Sequence, residues 1–318
     1  MPDCPSPLPA AKALSTLPTM RMPPVLGPGA RVALIAPAGP LRGPDELSAS
    51  VAHAQSLGWD PVPGLHVLRR DGYLAGIDAE RLLDLNAALQ DDRIDGIWCV
   101  RGGYGAMRIL RGVDYDAMRR RPKPLIGYSD ITALHSAFAE RSGVVTFHGP
   151  TARGPLSTFS RDSLRRATVS GDDSCGVAAG ARTLREGRAE GRLVGGNLAL
   201  LAALTGTPYA PDYHDAILVV EDVGEPTYRI DRMLQQLALS GALDALAGIA
   251  FGYFTDGSAA GDPESRELDT LLREAGDLAG IPVVAGIPLG HIDDQWTVPL
   301  GARAELDADR CTLRVRRD

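Results

Sequence analysis

Short apolar runs alternate with amphipathic helical patterns through the first half of this 318-residue chain. Residues 30–36 and 94–100 are typical of buried strands, and residues 45–57 and 78–90 carry apolar side chains at helical spacing. Strands separated by helices are joined by right-handed crossovers, which make neighbouring strands parallel. We therefore predict an α/β fold whose first domain, residues 29–156, contains a parallel sheet.

A tight turn around Ser129 is the strongest candidate for a nucleophile. Residues 125–126 predict a strand that breaks at Gly127, and a helix with apolar side chains at helical spacing follows from Ile131. A serine on such a strand–turn–helix segment is held out at the carboxyl edge of the sheet, where helix N-terminal amides also point. The second glycine of the nucleophile-elbow pattern is replaced by Ile131. The motif alone therefore also fits a serine that only caps a helix.

Two later strand ends carry the side chains that a nucleophilic serine needs. Residues 216–220 form a strong buried-strand pattern that runs into Glu221 and Asp222, and residues 281–289 lead into His291. Each feature has an ordinary alternative, because a carboxylate here can cap the next helix and a lone histidine can simply pack or face solvent. Together with Ser129, however, Glu221 and His291 follow the chain order Ser–Glu–His that α/β hydrolases use.

Five segments, in order along the chain, resemble the LD-carboxypeptidase family of serine peptidases, also called muramoyltetrapeptide carboxypeptidases. They are Arg-Gly-Gly-Tyr-Gly (101–105), Ile-Gly-Tyr-Ser-Asp (126–130), Gly-Gly-Asn-Leu (195–198), Val-Glu-Asp-Val-Gly-Glu (220–225) and Gly-Ile-Pro-Leu-Gly-His (286–291). The resemblance implies that Ser129, Glu221 and His291 are catalytic. It also implies an oxyanion hole of the Gly103 and Asp130 backbone amides. Finally, it implies hydrolysis with no metal or other cofactor and release of a terminal D-amino acid from an L-configured neighbour in murein peptides.

The glycine-rich turn at 101–105 and several arginines are candidates for contacts with substrate. The turn fits neither the G-x-G-x-x-G pattern of dinucleotide sites nor the lysine-containing phosphate loop, so a close approach of its backbone to a substrate oxyanion is the better interpretation. A murein peptide is anionic, so arginines are expected to line the cleft. The substrate-binding candidates are Arg101, Tyr104, Arg229 and Arg232. The alternative for each arginine is a surface or inter-element ion pair.

The pattern divides the chain into four parts. Residues 1–28 are rich in proline and are expected to be a disordered leader. Residues 157–192 have weak periodicity and predict a linker or hinge. Residues 193–318 predict a second α/β domain with a mixed sheet, because they combine helices at 228–239 and 263–275 with short alternating strands at 296–300, 302–306 and 311–315. This division places the active site in the cleft between the domains and predicts that substrate binding brings Ser129 within reach of His291.

Charge and cysteine usage exclude several classes of function. A net charge of −7 without any basic run argues against a nucleic-acid-binding surface, and no apolar stretch reaches the roughly 18 residues of a membrane span. Four scattered cysteines without a C-x-x-C pattern indicate reduced thiols, and no metal-binding motif is present. The expected setting is therefore cytoplasmic. The expected partners are a murein peptide and a second copy of the chain in a homodimer.

Three functions are compatible with these residues. The first is removal of D-alanine from murein tetrapeptides during peptidoglycan recycling. The second is hydrolysis of an aminoacyl-nucleotide compound, as in the microcin-immunity branch of the same scaffold. That branch needs an aromatic loop to stack a nucleobase, and this chain has only 5% aromatic residues, with tryptophan at 59, 98 and 296. The third is a non-catalytic module that binds murein peptides, against which the presence of all three triad residues argues.

Overall fold

The computed structural model describes residues 20–257 and 265–316. Within them the chain forms two sheets with helices packed against them. The strands are β1 (Arg31–Ile35), β2 (Asp60–Pro63), β3 (Gly96–Cys99), β4 (Leu125–Gly127), β5 (Thr146–His148), β6 (Gly176–Val177), β7 (Arg182–Arg185), β8 (Arg188–Asn197), β9 (Ala216–Val223), β10 (Leu246–Thr255), β11 (Val283–Ala285), β12 (Val298–Leu300), β13 (Arg303–Asp307) and β14 (Thr312–Val315). The α-helices are α1 (Pro44–Ser56), α2 (Asp78–Gln90), α3 (Ala106–Ile109), α4 (Tyr115–Arg120), α5 (Thr132–Ser142), α6 (Thr158–Arg165), α7 (Leu198–Leu204), α8 (Thr227–Leu239) and α9 (Leu268–Ala279).

The first sheet has the strand order β12-β5-β4-β3-β1-β2. Its five strands from the N-terminal domain pair in parallel, as the alternation of strands and helices predicts. Both faces of the sheet are covered, since one buried apolar cluster includes residues of α2, α4 and α5 and another includes residues of α1 and α6. The carboxyl ends of β1, β3, β4 and β5 therefore lie along one edge of a rigid layer, where ligands bind in open α/β sheets.

The second sheet is mixed and has the order β6-β14-β13-β8-β9-β10-β11-β7. Its centre, β8 to β11, is parallel, whereas β13, β14 and the two edge strands pair antiparallel to their neighbours. The two-domain α/β fold with a mixed second sheet is therefore confirmed. Every helix in the described ranges is too short or too polar to traverse a bilayer.

Three segments differ from the sequence-based expectation. Of the tail strands, β12 leaves the second domain and pairs antiparallel with β5, so it closes the edge of the first sheet. Residues 157–192 contain α6 and the edge strands β6 and β7 of the second sheet, so the segment is structured and its role as a hinge stays a prediction. The helix expected at 263–275 begins only at Leu268, and residues 263–264 lie outside the described residues.

The expectation that residues 1–28 form a disordered leader is wrong for residues 20–28, which the structure describes as ordered. Residues 1–19 lie outside the described residues. Arg21 forms a parallel bridge with Val144, and its backbone N–H donates to the Gly143 carbonyl oxygen at 2.8 Å. Leu26 is 1% exposed and packs in the cluster beneath the first sheet. Prolines forbid a helix in this segment but not an extended strap along the domain, because an extended chain does not need the proline N–H.

Replacing Leu26 by alanine is expected to lower the stability of the protein by about 2–5 kcal/mol, because it leaves a cavity in a packed core. Gly96 has no side chain where Leu26 lies, and a Cβ there would be 2.9 Å from Leu26 Cδ2, so the site is shaped around this leucine. The matched control is Val25→Ala, because Val25 is 46% exposed. Denaturant unfolding of both variants tests this, and equal stabilities would show that residues 20–28 do not contribute to the core.

Candidate active site

Ser129 follows β4 directly and begins a 3₁₀ turn, Ser129–Ile131, that leads into α5. Its φ angle is +62°, a left-handed conformation that costs a non-glycine residue about 1–3 kcal/mol. Such strain persists only where the surrounding structure imposes it. The backbone therefore has the form of a nucleophile elbow, in which a sharp strand-to-helix turn presents the serine hydroxyl.

The glycine turn after β3 packs against this serine. A Cβ on Gly102 would lie 3.0 Å from Ser129 Cβ and 3.2 Å from Ser129 Oγ, so only glycine allows this approach. Gly103 has a φ of +105°, which also favours glycine. Among the described residues, neither the Gly103 nor the Asp130 backbone N–H donates a hydrogen bond to the protein. Two unpaired amides thus flank the serine, as an oxyanion hole requires.

Glu221 and His291 form a hydrogen-bonded pair. His291 Nδ1 lies 2.8 Å from Glu221 Oε2, and the glutamate is completely buried in β9. The sequence pattern ends the strand at Val220, whereas the observed strand continues to Val223 and so includes both acidic residues. A carboxylate only accepts, so Nδ1–H must be the donor, and this leaves Nε2 free to act as a base. Gly290 allows the contact, because a Cβ there would be 3.1 Å from Glu221 Cβ.

Asp222, which the sequence could not distinguish from Glu221, points to the other side of β9. Its carboxylate accepts hydrogen bonds from Asn197 Nδ2 at 2.8 Å and from the Ala199 backbone N–H at 2.9 Å. Burial raises its pKa to about 6. Alternation of side chains along a strand thus separates two adjacent carboxylates, one facing His291 and one holding the start of α7.

The two halves of the candidate triad come from different domains. Among the described residues, no hydrogen bond joins Ser129 to His291, although the Tyr128 ring lies 4.8 Å from the His291 ring, centroid to centroid. The domains are tied together nearby, because Thr132 Oγ1 accepts a hydrogen bond from the Asn197 backbone N–H at 2.9 Å. Asn197 in turn pairs in register with Glu221 across β8 and β9.

Sequence reasoning missed two buried histidines behind the serine. His135 Nε2 lies 2.8 Å from the Gly127 carbonyl oxygen and Nδ1 lies 2.9 Å from Thr146 Oγ1. The first contact requires an N–H at Nε2. Because burial lowers the pKa of His135 to about 4, the ring is neutral near pH 7, and the Thr146 hydroxyl donates to Nδ1. His135 therefore fixes the end of β4, which leads into Ser129. His148 is equally buried, and burial holds its pKa well below the usual range.

The stability contribution of His135 is expected to depend on pH. Burial lowers its pKa from the ordinary 6.5 to about 4, so between these values the unfolded chain binds a proton that the folded protein does not. This group therefore stabilises the fold fully above pH 6.5, and its contribution is lost as the pH falls towards 4. His135→Gln removes this dependence, so its destabilising effect should shrink by about 2 kcal/mol between pH 7 and pH 5. Urea unfolding of both proteins at the two pH values measures this, and a constant difference would contradict it.

The candidate substrate-binding residues fall into two groups. Arg101 extends from the end of β3, and its Nη1 donates to the Pro40 carbonyl oxygen beside the glycine turn. Tyr104 is exposed and stacks edge-on against Tyr73 with centroids 5.5 Å apart. Arg229 and Arg232, on α8 in the second domain, have surface partners: Arg229 pairs with Glu225 at 3.5 Å, and Arg232 lies over the Tyr228 ring.

The described part of the chain offers no cluster of side chains for a metal ion, and the cysteine in the strand next to β4 is buried. This part of the chain contains no group of three or more His, Cys, Asp or Glu side chains placed to hold a metal ion. Cys99 is completely buried in β3, and burial raises the pKa of its thiol, so it is an inert core residue.

Two α/β domains, a strained serine at a strand end and a buried glutamate–histidine pair are features of a serine hydrolase. Comparison with family models identifies the family of serine hydrolases. Residues 32–149 match the LD-carboxypeptidase N-terminal domain, and residues 190–306 match the LD-carboxypeptidase C-terminal domain. The chain belongs to the LD-carboxypeptidase family and is a hydrolase of the serine carboxypeptidase class.

Individual relatives agree with this assignment. The murein tetrapeptide carboxypeptidase of Pseudomonas aeruginosa is 38% identical over 88% of this chain and 94% of its own length. The crystal structure of muramoyltetrapeptide carboxypeptidase from Oxalobacter formigenes is 30% identical, covers 90% of this chain and 98% of its own, and superimposes with a TM-score of 0.81. The microcin C7 self-immunity protein MccF of Escherichia coli is also related, at 28% identity over 83% of this chain and 86% of its own length.

Proposed function

We propose that this enzyme removes the terminal D-alanine from murein tetrapeptides, by cleaving the bond between L-configured diaminopimelate and D-alanine in peptidoglycan recycling. The observation that carries the proposal is that one chain contains both a buried Glu221 hydrogen-bonded to His291 and a strained Ser129 at the end of a strand. The name of the Pseudomonas aeruginosa relative supports the choice of substrate. A cytoplasmic location and a homodimeric state stay predictions.

The chemistry follows from what each group can do. His291 Nε2 takes the proton of Ser129 Oγ as the oxygen attacks the scissile carbonyl carbon. The backbone N–H groups of Gly103 and Asp130 hold the oxyanion, and each such donor is worth about 3 kcal/mol of transition-state stabilisation. Glu221 fixes the imidazole tautomer and stabilises the imidazolium.

The intermediate then collapses to an acyl-enzyme. His291 gives its proton to the amine of D-alanine, which leaves, and the peptide remains bound to Ser129 as an ester. A water molecule attacks the ester carbonyl and His291 accepts its proton. That proton passes to Ser129 Oγ as the ester bond breaks, which frees the shortened peptide and restores the serine.

We further propose that substrate binding closes the cleft and brings Ser129 Oγ to hydrogen-bond distance of His291 Nε2. The absence of that bond between described residues supports closure. The proposed moving parts are the nucleophile domain, 29–156, and the domain carrying Glu221 and His291, 193–318, with 157–192 between them.

The microcin-immunity reaction is the second candidate. The relation to the Escherichia coli immunity protein favours it, and the exposed Tyr73–Tyr104 pair offers aromatic surface next to the glycine turn. All three tryptophans are buried, however, so none of them is available to stack on a nucleobase. We therefore favour the murein peptide as substrate.

The deciding experiment is incubation of the purified protein with a murein tetrapeptide, with D-alanine release followed by mass spectrometry. We expect release from the L–D bond and none from a control peptide that ends in L-alanine. A parallel reaction contains an aminoacyl sulfamoyl nucleotide. Hydrolysis of the nucleotide compound alone would favour the microcin-immunity reaction, and binding without turnover of either compound would favour a non-catalytic module.

A further inference from the structure

Four arginines gather at the carboxyl edge of the first sheet, beside Ser129. Arg42 follows β1, Arg70 follows β2, Arg101 follows β3 and Arg153 follows β5, so each lies in a loop beyond the carboxyl end of a strand. Two of the four bind the backbone of the loop after β1. Arg101 donates to the Pro40 carbonyl oxygen, and Arg70 donates to the Leu41 carbonyl oxygen at 3.2 Å. We call these four residues the arginine cluster.

The arginine cluster carries more positive charge than its surroundings neutralise. Within the described ranges its only ion pair joins Arg42 to Glu46 at 3.8 Å. The carbonyl contacts of Arg70 and Arg101 orient the guanidinium groups without cancelling their charge. Arg153 is half-buried and, among the described residues, makes no hydrogen bond or ion pair. Such a concentration of cations in a chain of net charge −7 indicates an anionic ligand.

Arg101 and Arg153 are the members closest to the chemistry. A Cβ on Gly39 would lie 3.6 Å from Arg101 Nε and 2.8 Å from the Gly102 oxygen, and Gly102 itself packs against Ser129. Burial lowers the pKa of the Arg101 guanidinium, and repulsion from Arg153 lowers it further. The charge of Arg153 also acts on Tyr128, next to Ser129, where it opposes the rise in pKa caused by burial. The Ala152 backbone N–H donates to the Cys99 carbonyl oxygen at 3.1 Å, so the loop of Arg153 lies beside the end of β3, from which Arg101 extends. Both arginines therefore lie in loops next to the end of β4, where Ser129 is held.

We infer that Arg101 and Arg153 form the subsite that binds a carboxylate of the peptide substrate. The inference rests on the proposed function and names the group that this part of the site recognises. A guanidinium presents paired N–H donors that match a carboxylate, and two guanidinium groups without a counter-ion gain by binding one. The two residues joined by the scissile bond each carry one free carboxylate, that of the terminal D-alanine and that on the diaminopimelate side chain, and the subsite binds one of these two.

The test measures kcat and KM of Arg153→Gln and Arg153→Lys with the tetrapeptide. Because the contact exists before and during the reaction, its loss should raise KM and leave kcat within a few-fold. A charged hydrogen-bonded contact predicts a rise of roughly 10- to 100-fold for Arg153→Gln. The lysine variant should recover part of the affinity, because it keeps the charge but not the paired geometry. Arg111→Gln is the matched control, because Arg111 is exposed on the same domain.

Two substrate analogues identify the carboxylate. One has its terminal carboxylate amidated, and the other has lysine in place of diaminopimelate. The analogue that lacks the recognised carboxylate should have the same KM with the wild type and with Arg153→Gln. The other analogue should keep the difference in KM between the two proteins. An unchanged KM in both Arg153 variants, or an equal difference with both analogues, would overturn the inference. Failure of the wild type to release D-alanine would instead overturn the proposed function, so the two failures are distinguishable.

Discussion

Ser129→Ala is expected to abolish D-alanine release, with kcat falling by roughly 10⁴- to 10⁶-fold, because no other group in the scheme can form the acyl-enzyme. Stability should change little, since the hydroxyl accepts and donates no hydrogen bond within the described residues and the side chain lies at a turn. The measurement is kcat with the tetrapeptide together with the melting temperature of the variant.

A second substitution at the same position separates chemistry from backbone strain. Ser129 has a φ of +62°, which glycine adopts freely, so Ser129→Gly should be as inactive as the alanine variant but at least as stable as the wild type. Ser240→Ala is the control, because Ser240 is exposed at the end of α8, and it should keep full activity. Wild-type hydrolysis by Ser129→Ala would eliminate the serine-peptidase mechanism for this chain.

Local patterns predicted most of the fold because they reflect burial along a single element. The helix expected at 78–90 has those bounds in the structure, and the strands expected at 30–36 and 94–100 are present but shorter by a few residues. Strand ends are less predictable, because hydrogen bonding to neighbours decides where pairing stops. Residues 281–289, for example, contribute only the three-residue strand β11.

The features that the sequence did not reveal depend on partners distant in the chain. Leu26 is buried because Gly96 leaves room for it, and β12 joins the first sheet because the edge of β5 is open to it. Arg153 lies in a loop of ordinary composition, and only the fold brings it beside Arg101. Neither the pairing of strands across domains nor the gathering of charges from separate loops leaves a periodic signal in the sequence.

The candidate triad was predictable to a different degree at each residue. Chain order and resemblance indicated Ser129, Glu221 and His291, and the structure places the last two in contact. The sequence alone could not choose between Glu221 and Asp222, because both follow the same apolar run. The strand decides it, since neighbouring side chains point to opposite faces. The catalytic roles of all three residues stay predictions.

The second large effect is expected for Glu221→Gln, because Glu221 and not Asp222 contacts His291. The buried carboxylate accepts the Nδ1–H of His291 at 2.8 Å, so it selects the tautomer whose Nε2 can take a proton and stabilises the imidazolium. An amide can turn its NH₂ group towards Nδ1 and favour the wrong tautomer, and it carries no charge. The expected loss in kcat is roughly 10³- to 10⁴-fold, by analogy with the same substitution of a triad carboxylate. The loss should be smaller than that of Ser129→Ala.

Asp222→Asn is the matched control, because it neutralises the adjacent carboxylate on the opposite face of the same strand. Its oxygens accept from Asn197, Ala199 and Val223, so an amide there meets donors and should lower stability by about 1–3 kcal/mol. Activity of the folded fraction should stay near that of the wild type. Glu221→Gln should instead lose activity and keep its stability. Glu221 Oε1 has no hydrogen-bond partner among the described residues, and neutralising this carboxylate removes a buried charge. Measuring kcat and unfolding free energy for both variants tests the assignment. A large loss of kcat in Asp222→Asn with near-normal turnover in Glu221→Gln would show that the other carboxylate serves the histidine.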